Sequence, residues 1–264
     1  MIDSIHQSTL NMAFRCGEQF RRRYILGHIV PPSVPAGRGT GVHKANEANL
    51  RQKVESREDM PLADLQDAAR DGYVHALQHG VYLPKDKVSE KNRLLNDGLN
   101  DTLRLTKLYR NAVAPNINPI HVEREFSINV GLPLLLEGRM DYQEKPIVGD
   151  LKTAGKSWGE HQIHKEIQPV FYSFVHEHET GIRPKFIYHI LVALKTKEKL
   201  QTQDLTPTDR HYQALYAKLL MFCKMLETET FLPANPSSWW CDPRYCGYYY
   251  TCPFVGNELP KAWI

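Results

Sequence analysis

The chain contains no run of 18 apolar residues, so no segment reads as a membrane-spanning helix. Met1 to Leu10 lacks the apolar core of a secretion signal, and the two absences together place the protein in the cytoplasm with no membrane partner. Charge of neither sign dominates: the net charge is +3 and the isoelectric point is near 8.5. That balance is compatible with nucleic acid but does not argue for it, since a dedicated phosphate binder carries a stronger basic bias. Nucleotide signatures are missing too. The glycine-rich stretch Ala36-Gly37-Arg38-Gly39-Thr40-Gly41 follows no strand and reaches no Gly-Lys-Ser/Thr, which excludes a P-loop, and there is no flavin or dinucleotide fingerprint. Cysteine is scarce, with five in 264 residues, and without an export signal these point to reduced thiols or a metal centre before disulfides.

What is present centres on Gly138 to Lys152, two short apolar runs joined by a polar, proline-containing turn. It reads as a β-hairpin with a four-residue connection, Gln143 to Pro146, which pairs Tyr142 with Ile147 and sets Asp141 opposite Val148. Side chains alternate along a strand, so Asp141, Asp150 and Lys152 share one face. Carboxylates on diagonal positions of adjacent strands can hold one hard cation such as Mg²⁺ or Mn²⁺ between them. A cation so held acts as a Lewis acid and generates a nucleophile from water, while the Lys152 ammonium orients that water or offsets phosphoryl charge. Taken alone, Asp-x-Lys is more often a solvated charged face.

The flanking chain supplies the frame. Ser8 to Ile25 has helical spacing with Arg15, Arg21, Arg22 and Arg23 on a basic side, and Pro31, Pro32 and Pro35 break the chain before a helix beginning at His43. Met60 to His79 and Ser89 to Asn111 read as architectural helices, and His75 and His79 as a solvated pair. Ile117 to Val130 and Leu132 onward read as strands, with Glu123 and Glu125 as outward charges, the alternative being groups that approach the metal behind its ligands, and Glu137 as a weak extra ligand candidate. Glu160 to Thr180 is helical in two segments meeting near Gln168, because Pro169 cannot sit inside a continuous helix. Gln168 and Tyr172, four apart, are neighbours on its surface. Lys185 to Lys195 is apolar almost throughout, which suits a buried central strand. Thr206 to Thr230 is an amphipathic helix with Cys223 in its apolar stripe.

Asp150-Leu151-Lys152 after Ile147-Val148-Gly149, with Asp141 in a Gly-x-x-Asp context, resembles the core of the PD-(D/E)XK nucleases. Met140 stands where that family has proline, as is common in its RecB-like branch. Gly39-x-x-x-His43 and Gln168-x-x-x-Tyr172 resemble two further motifs of that branch. The resemblance implies that Asp141, Asp150, His43 and the carbonyl of Leu151 bind metal, that Lys152 orients water, and that Gln168 and Tyr172 contact DNA or brace the site.

Trp239 to Pro253 places Cys241, Cys246 and Cys252 within twelve residues of an aromatic- and turn-rich tail, a spacing that suits zinc or an iron–sulfur cluster. A tetrahedral site needs a fourth ligand, and Cys16 is the only other cysteine outside the core helix. A distant N-terminal Cys plus a C-terminal triplet resembles the [4Fe–4S] motif of AddB and the CRISPR-associated nucleases, which fastens the ends of the domain together. Here the spacing is Cys-x4-Cys-x5-Cys where the family has Cys-x2-Cys-x5-Cys, which keeps zinc open. The expected fold is a three-layer α/β/α restriction-endonuclease-like core in one domain: a helical part (1–115), the catalytic core (116–200), and a helix with a cysteine-rich clamp (201–264). The function so implied is a metal-dependent DNA exonuclease of recombination, repair or phage DNA processing, with a recombination or annealing protein as candidate partner. A DNA-binding iron–sulfur or zinc module without catalysis is the alternative, and a redox protein a more distant one.

Overall fold

The computed structural model describes residues 2–255, and in it a mixed sheet lies between two helical layers. The strands are β1 (Ser4–Ile5), β2 (His121–Ile128), β3 (Leu135–Glu144), β4 (Ile147–Ala154), β5 (Lys185–Ala193) and β6 (Glu198–Leu205). Their order is β1-β3-β4-β5-β6, with β2 also paired to β3. Helices α3 (Val34–Ser56), α4 (Leu62–Leu77) and α5 (Lys91–Ala112) cover one face, and α1 (Gln7–Arg15), α6 (Ile167–Thr180) and α7 (Asp209–Glu227) the other. Strand β5 carries Phe186, Tyr188, Ile190 and Val192 toward the second layer and Leu191 and Ala193 toward the first. Its apolar run is therefore that of a central strand buried on both faces. Among the described residues no helix is long and apolar enough to cross a membrane.

The pairing of β3 creates the opening that matters. Leu136 pairs with Ile128 of β2 and with Ile5 of β1, and Tyr142 pairs with Val122 of β2 and Gly149 of β4. Since β2 occupies one edge of β3, β1 and β4 share the other, at opposite ends. Between them, residues 137–141 have no ladder partner on that edge. The sheet thus has a built-in gap that ends at Asp141.

Several local expectations change. The hairpin turns on Lys145-Pro146 alone, and the register is Tyr142↔Gly149 and Gln143↔Val148 rather than Tyr142 with Ile147. A Cβ built at Gly149 would fall within the Tyr142 ring, so glycine is the residue that lets the tyrosine lie across β4. The shift is by two residues, which preserves the faces and sets Asp150 directly opposite Asp141 instead of diagonal to it. Helix α3 begins at Val34, nine residues before His43, with Ser33 as its cap and Pro35 in its first turn, where a missing N–H costs nothing. Its glycines are packing residues rather than a loop: a Cβ at Gly41 would lie 2.6 Å from the Ala69 carbonyl of α4, and one at Gly37 would press 2.8 Å against Leu77. Pro169 falls in the first turn of α6, after a separate 3₁₀ turn at Gln162–Lys165, so the two-segment reading of that stretch holds. The N-terminal helix breaks at Cys16, whose backbone is extended, giving α1, a short α2 (Gly17–Phe20) and a π-turn at Arg21–Ile25. The break lets the C-terminal tail cross there: Gly17 N–H donates to the Leu232 carbonyl at 2.6 Å, and a Cβ on Gly17 would strike that same backbone. Strands β1 and β6 enlarge the sheet beyond the expected Ile117 to Lys195.

Candidate active site

The gap in the sheet gathers side chains from both helical layers. Asp141, at the last unpaired position of β3, accepts the Leu151 N–H on Oδ2 at 3.2 Å, a bond that replaces the missing ladder. His43 reaches the same oxygen from α3, with Nδ1 at 3.2 Å. On β4, Lys152 Nζ lies 2.7 Å from Asp150 Oδ2. That ion pair leaves the Lys152 ammonium as the partner of the buried Oδ2. Asp150 Oδ1 accepts from the Gln168 amide of α6, and the Gln168 Oε1 in turn accepts from the Tyr188 hydroxyl at 3.1 Å. Gln168 is thus a brace that turns one carboxylate oxygen away and leaves the other facing the gap. Tyr172, one turn along α6, is 6% exposed and lines the cleft together with Asp141, His43 and Glu123. The cleft has a volume of about 380 Å³ and is rimmed by His6, Thr40, Lys44, Glu47 and Arg139.

Electrostatics in this cleft are strained. Burial, then Asp141, push the Asp150 carboxyl up to about 6 against the pull of Lys152 and His43. The Asp141 carboxyl is lowered instead, because His43 and Lys152 outweigh the cost of its burial. His43 is raised: burial alone would lower it, but Asp141 prevails. Tyr172 is raised by burial and by the nearby carboxylates, which keeps its phenol a neutral donor.

One residue of the site corrects its expected place. Glu123 is not an outward charge. Its side chain is 6% exposed and lines the cleft, paired to Arg139 Nε at 2.5 Å. The β2–β3 register runs through Val122↔Tyr142 and Arg124↔Met140 but skips Glu123, which stands opposite Asp141 with φ +51. Left-handed backbone at a glutamate costs on the order of 1–2 kcal/mol and turns its side chain out of strand alternation. Burial, then Asp141, push its carboxyl up to about 7. Alternation of apolar and charged residues favours an outward Glu123, and a left-handed glutamate leaves no local sequence signal. Glu125 is exposed, as expected, and Glu137, at the other end of the unpaired stretch, lies outside the carboxylate cleft, bonded to Ser127 and 3.9 Å from His6.

The second gathering is at the far end of α1. Cys16, Cys241, Cys246 and Cys252 are all free and half-buried, and each of the three tail thiols is pushed up by burial and by Cys16. The tail is held against the N-terminal segment by Arg22, which donates to the Thr251 hydroxyl and carbonyl at 2.8 and 2.7 Å, and by Tyr248, whose hydroxyl donates to the His28 carbonyl at 2.5 Å. The arginine side of this segment therefore binds protein. The Ala234 N–H donates to the Cys16 sulfur at 3.4 Å. Cys223 stays on α7, packed against the core and away from this group.

Among the described residues no three His, Cys, Asp or Glu side chains stand close enough to hold a single metal ion as placed. In the gap, the reason is visible: His43 and Lys152 pair with the two carboxylates. The donors nevertheless suit a hard divalent cation, for two carboxylates and an imidazole stand at the gap, and the buried Asp150 Oδ2 has only the Lys152 ammonium beside it. At the cysteine end the four thiols are the soft donors that zinc or an iron–sulfur cluster takes.

No family profile matches the chain, and no curated protein matches it. Solved structures do. A protein of Eubacterium rectale, named as a candidate exonuclease, is 10% identical, with 98% of this chain and 91% of that one covered at a TM-score of 0.51. Another, SSO0001, is 20% identical over 95% of this chain and 96% of its own, at a TM-score of 0.36, too low to carry a structural argument. The chain is a mixed α/β protein with a central sheet. Its fold is similar to that of the Eubacterium rectale protein along nearly its whole length.

Proposed function

We propose that the chain is a divalent-metal-dependent nuclease that hydrolyses phosphodiester bonds in DNA, acting as an exonuclease in recombination, repair or phage DNA processing. The observation that carries this reading is the pair Asp141 and Asp150, opposite each other at the break in the sheet, Asp141 lining an open cleft and Asp150 buried behind it with Lys152 paired to its Oδ2. The fold likeness to a candidate exonuclease supports it. Asp141, Asp150, His43 and the Leu151 carbonyl would hold Mg²⁺ or Mn²⁺, which when bound supplies Lewis acidity toward the phosphoryl group and toward water. The chain's own side chains do the rest. Lys152 leaves Asp150 to meet charge growing on a phosphoryl oxygen, or to orient the attacking water. Gln168 keeps the Asp150 carboxylate turned, and Tyr172, a neutral phenol at the cleft wall, donates to the strand. His43 must give up its proton to act as a ligand, so metal affinity should rise with pH. The four cysteines we assign to a [4Fe–4S] cluster, with zinc as the alternative; anaerobic purification, a visible absorption spectrum and metal analysis separate the two.

The test is end-labelled single- and double-stranded DNA incubated with Mg²⁺ or Mn²⁺. Cleavage by the wild type, abolished by chelator and by Asp150→Ala, is the expected result. Metal-dependent cleavage retained by Asp150→Ala removes the assignment.

A further inference from the structure

The cysteine-rich tail carries a group of aromatic rings that neither the fold nor the cysteines require. Trp239 and Trp240 stack with ring centres 3.8 Å apart, and Tyr245 closes edge-on at 5.0 Å from Trp239. Trp239 is 59% exposed and Tyr245 50%, far more than large aromatics that serve a core. Cations are interleaved with the rings: the Arg15 guanidinium lies 4.2 Å over Trp240, Arg244 is 5.7 Å from Tyr245, and Lys85 stands 4.1 Å from the half-exposed Tyr250. Flat exposed rings among positive charges suit stacked bases joined by phosphates, and suit poorly an apolar partner, which would have to strip the cations of water.

Position strengthens this. Helix α1 connects the two ends: His6, Gln7 and Ser8 line the carboxylate cleft, and Arg15, at the other end, lies on Trp240. From Gln7 to Arg15 the helix rises about 12 Å at 1.5 Å per residue. That spans roughly three to four stacked nucleotides at about 3.4 Å each. Between the two points α1 exposes Ser8, Asn11 and Phe14, three apart and so on one side of the helix. We propose that Trp239 and Tyr245 form a base-stacking surface for single-stranded DNA, which holds the strand a few nucleotides from the cleft while the scissile phosphate lies at Asp141 and Asp150. The inference rests on the nuclease reading for the strand's destination, but the binding it claims is separable from chemistry.

The experiment uses the full chain in chelator, so that nothing is cut, and follows tryptophan fluorescence during titration with a fifteen-residue oligothymidylate, the matching duplex, and an oligomer of the same length made of abasic sugar phosphates. The thymidylate is expected to quench fluorescence and to bind most tightly. Trp239→Ala should weaken it roughly five- to a hundredfold, the loss of one stacked base, and Trp239→Phe, which keeps a ring, should recover most of that loss. Trp239 is exposed, so circular dichroism of the variant should match the wild type. Equal affinity of Trp239→Ala and wild type for thymidylate overturns the proposal, as does an abasic oligomer that binds and quenches as well as thymidylate. A wild type that binds in the expected way yet cuts no DNA with Mg²⁺ or Mn²⁺ supports the stacking surface and rejects the hydrolysis. A wild type that cuts DNA while Trp239→Ala binds unchanged rejects the surface alone.

Discussion

The carboxylate gap and the cysteine end lie at opposite ends of α1, and they are held in opposite ways. The gap is a place where the fold is weakened. A sheet edge is left unpaired, two carboxylates are buried opposite each other, and a glutamate is kept in a left-handed backbone. Each of these features opposes folding and none improves packing, so the surrounding core must carry them. The cysteine end does the reverse. It has little buried apolar surface of its own and instead joins the N-terminal segment to a tail more than two hundred residues later through hydrogen bonds, Arg22 to Thr251 and the Ala234 N–H to the Cys16 sulfur. One region holds buried charge and a strained backbone, and the other fastens the two ends of the chain together.

The largest effect that could break this contrast is on cleavage. Asp150→Ala should lower turnover by about a thousandfold or more, on the scale of losing a principal electrostatic group of an active site, whereas Cys16→Ala should leave the turnover of the folded fraction within a few-fold. Rates on end-labelled DNA, normalised to folded protein, would reject the division of labour if the cysteine variant lost as much as the aspartate one. Thermal stability should show the opposite ranking. A tether closing so long a loop is worth several kcal/mol by the entropy estimate used for cross-links, about 5 kcal/mol at most. At roughly 2–4 °C per kcal/mol for a chain of this size, Cys16→Ala should lower the melting temperature by about 10 °C. Coincident melts would mean that the hydrogen bonds of the tail, not its thiols, hold it.

The contrast was only half legible in the sequence. Asp141, Asp150 and Lys152 could be placed on one face because alternation survives a register error of two residues, which is the error made at the hairpin. Helical spacing made Gln168 and Tyr172 neighbours, but only the resemblance to the RecB-like branch placed them and His43 near the carboxylates; the structure sets His43 and Tyr172 in the cleft wall and Gln168 on Asp150. Glu123 could not be told from Glu125, since alternation puts both on one face, where either could approach the metal or point outward, and the positive φ that sets Glu123 apart has no local signal. The gap itself was hidden as well, because it depends on β1, two residues long, pairing with a strand more than a hundred residues away. Gly37 and Gly41 read as a loop because glycine usually ends helices; they are in a helix because α4 packs too closely to admit a Cβ. The break at Cys16 was invisible for a similar reason, as the tail that forces it is remote in the chain.

Charge burial gives the next, smaller effect. An acid that holds its proton more tightly when folded stabilises the native state at low pH, and that stability is lost as pH climbs from the ordinary aspartate value through about 6. Asp150→Asn removes the ionisation. It should therefore match the wild type near pH 3.5 and exceed it above pH 6, by on the order of 2 kcal/mol at pH 7. Chemical denaturation across pH reads this directly. A variant less stable than wild type at pH 7 would mean that Lys152 needs its partner more than Asp150 suffers from burial.

The smallest effect isolates backbone strain from charge at Glu123. Both Glu123→Ala and Glu123→Gly remove the carboxylate, its pairing with Arg139 and its repulsion from Asp141, so these losses cancel between the two variants. What remains is the backbone. In an ordinary strand glycine is the worse residue, by roughly 0.5–1 kcal/mol, because it gives up more freedom on folding. At φ +51 the order should reverse: alanine keeps the clash between Cβ and the following carbonyl, while glycine has none. Glu123→Gly is thus expected to be more stable than Glu123→Ala by about 1 kcal/mol, measured as a difference in denaturation midpoint at equal slope. If alanine is instead the more stable of the two, residue 123 relaxes to normal strand geometry once its carboxylate is gone. The left-handed backbone would then be a consequence of the charge seeking the cleft rather than a conformation imposed on it by the sheet.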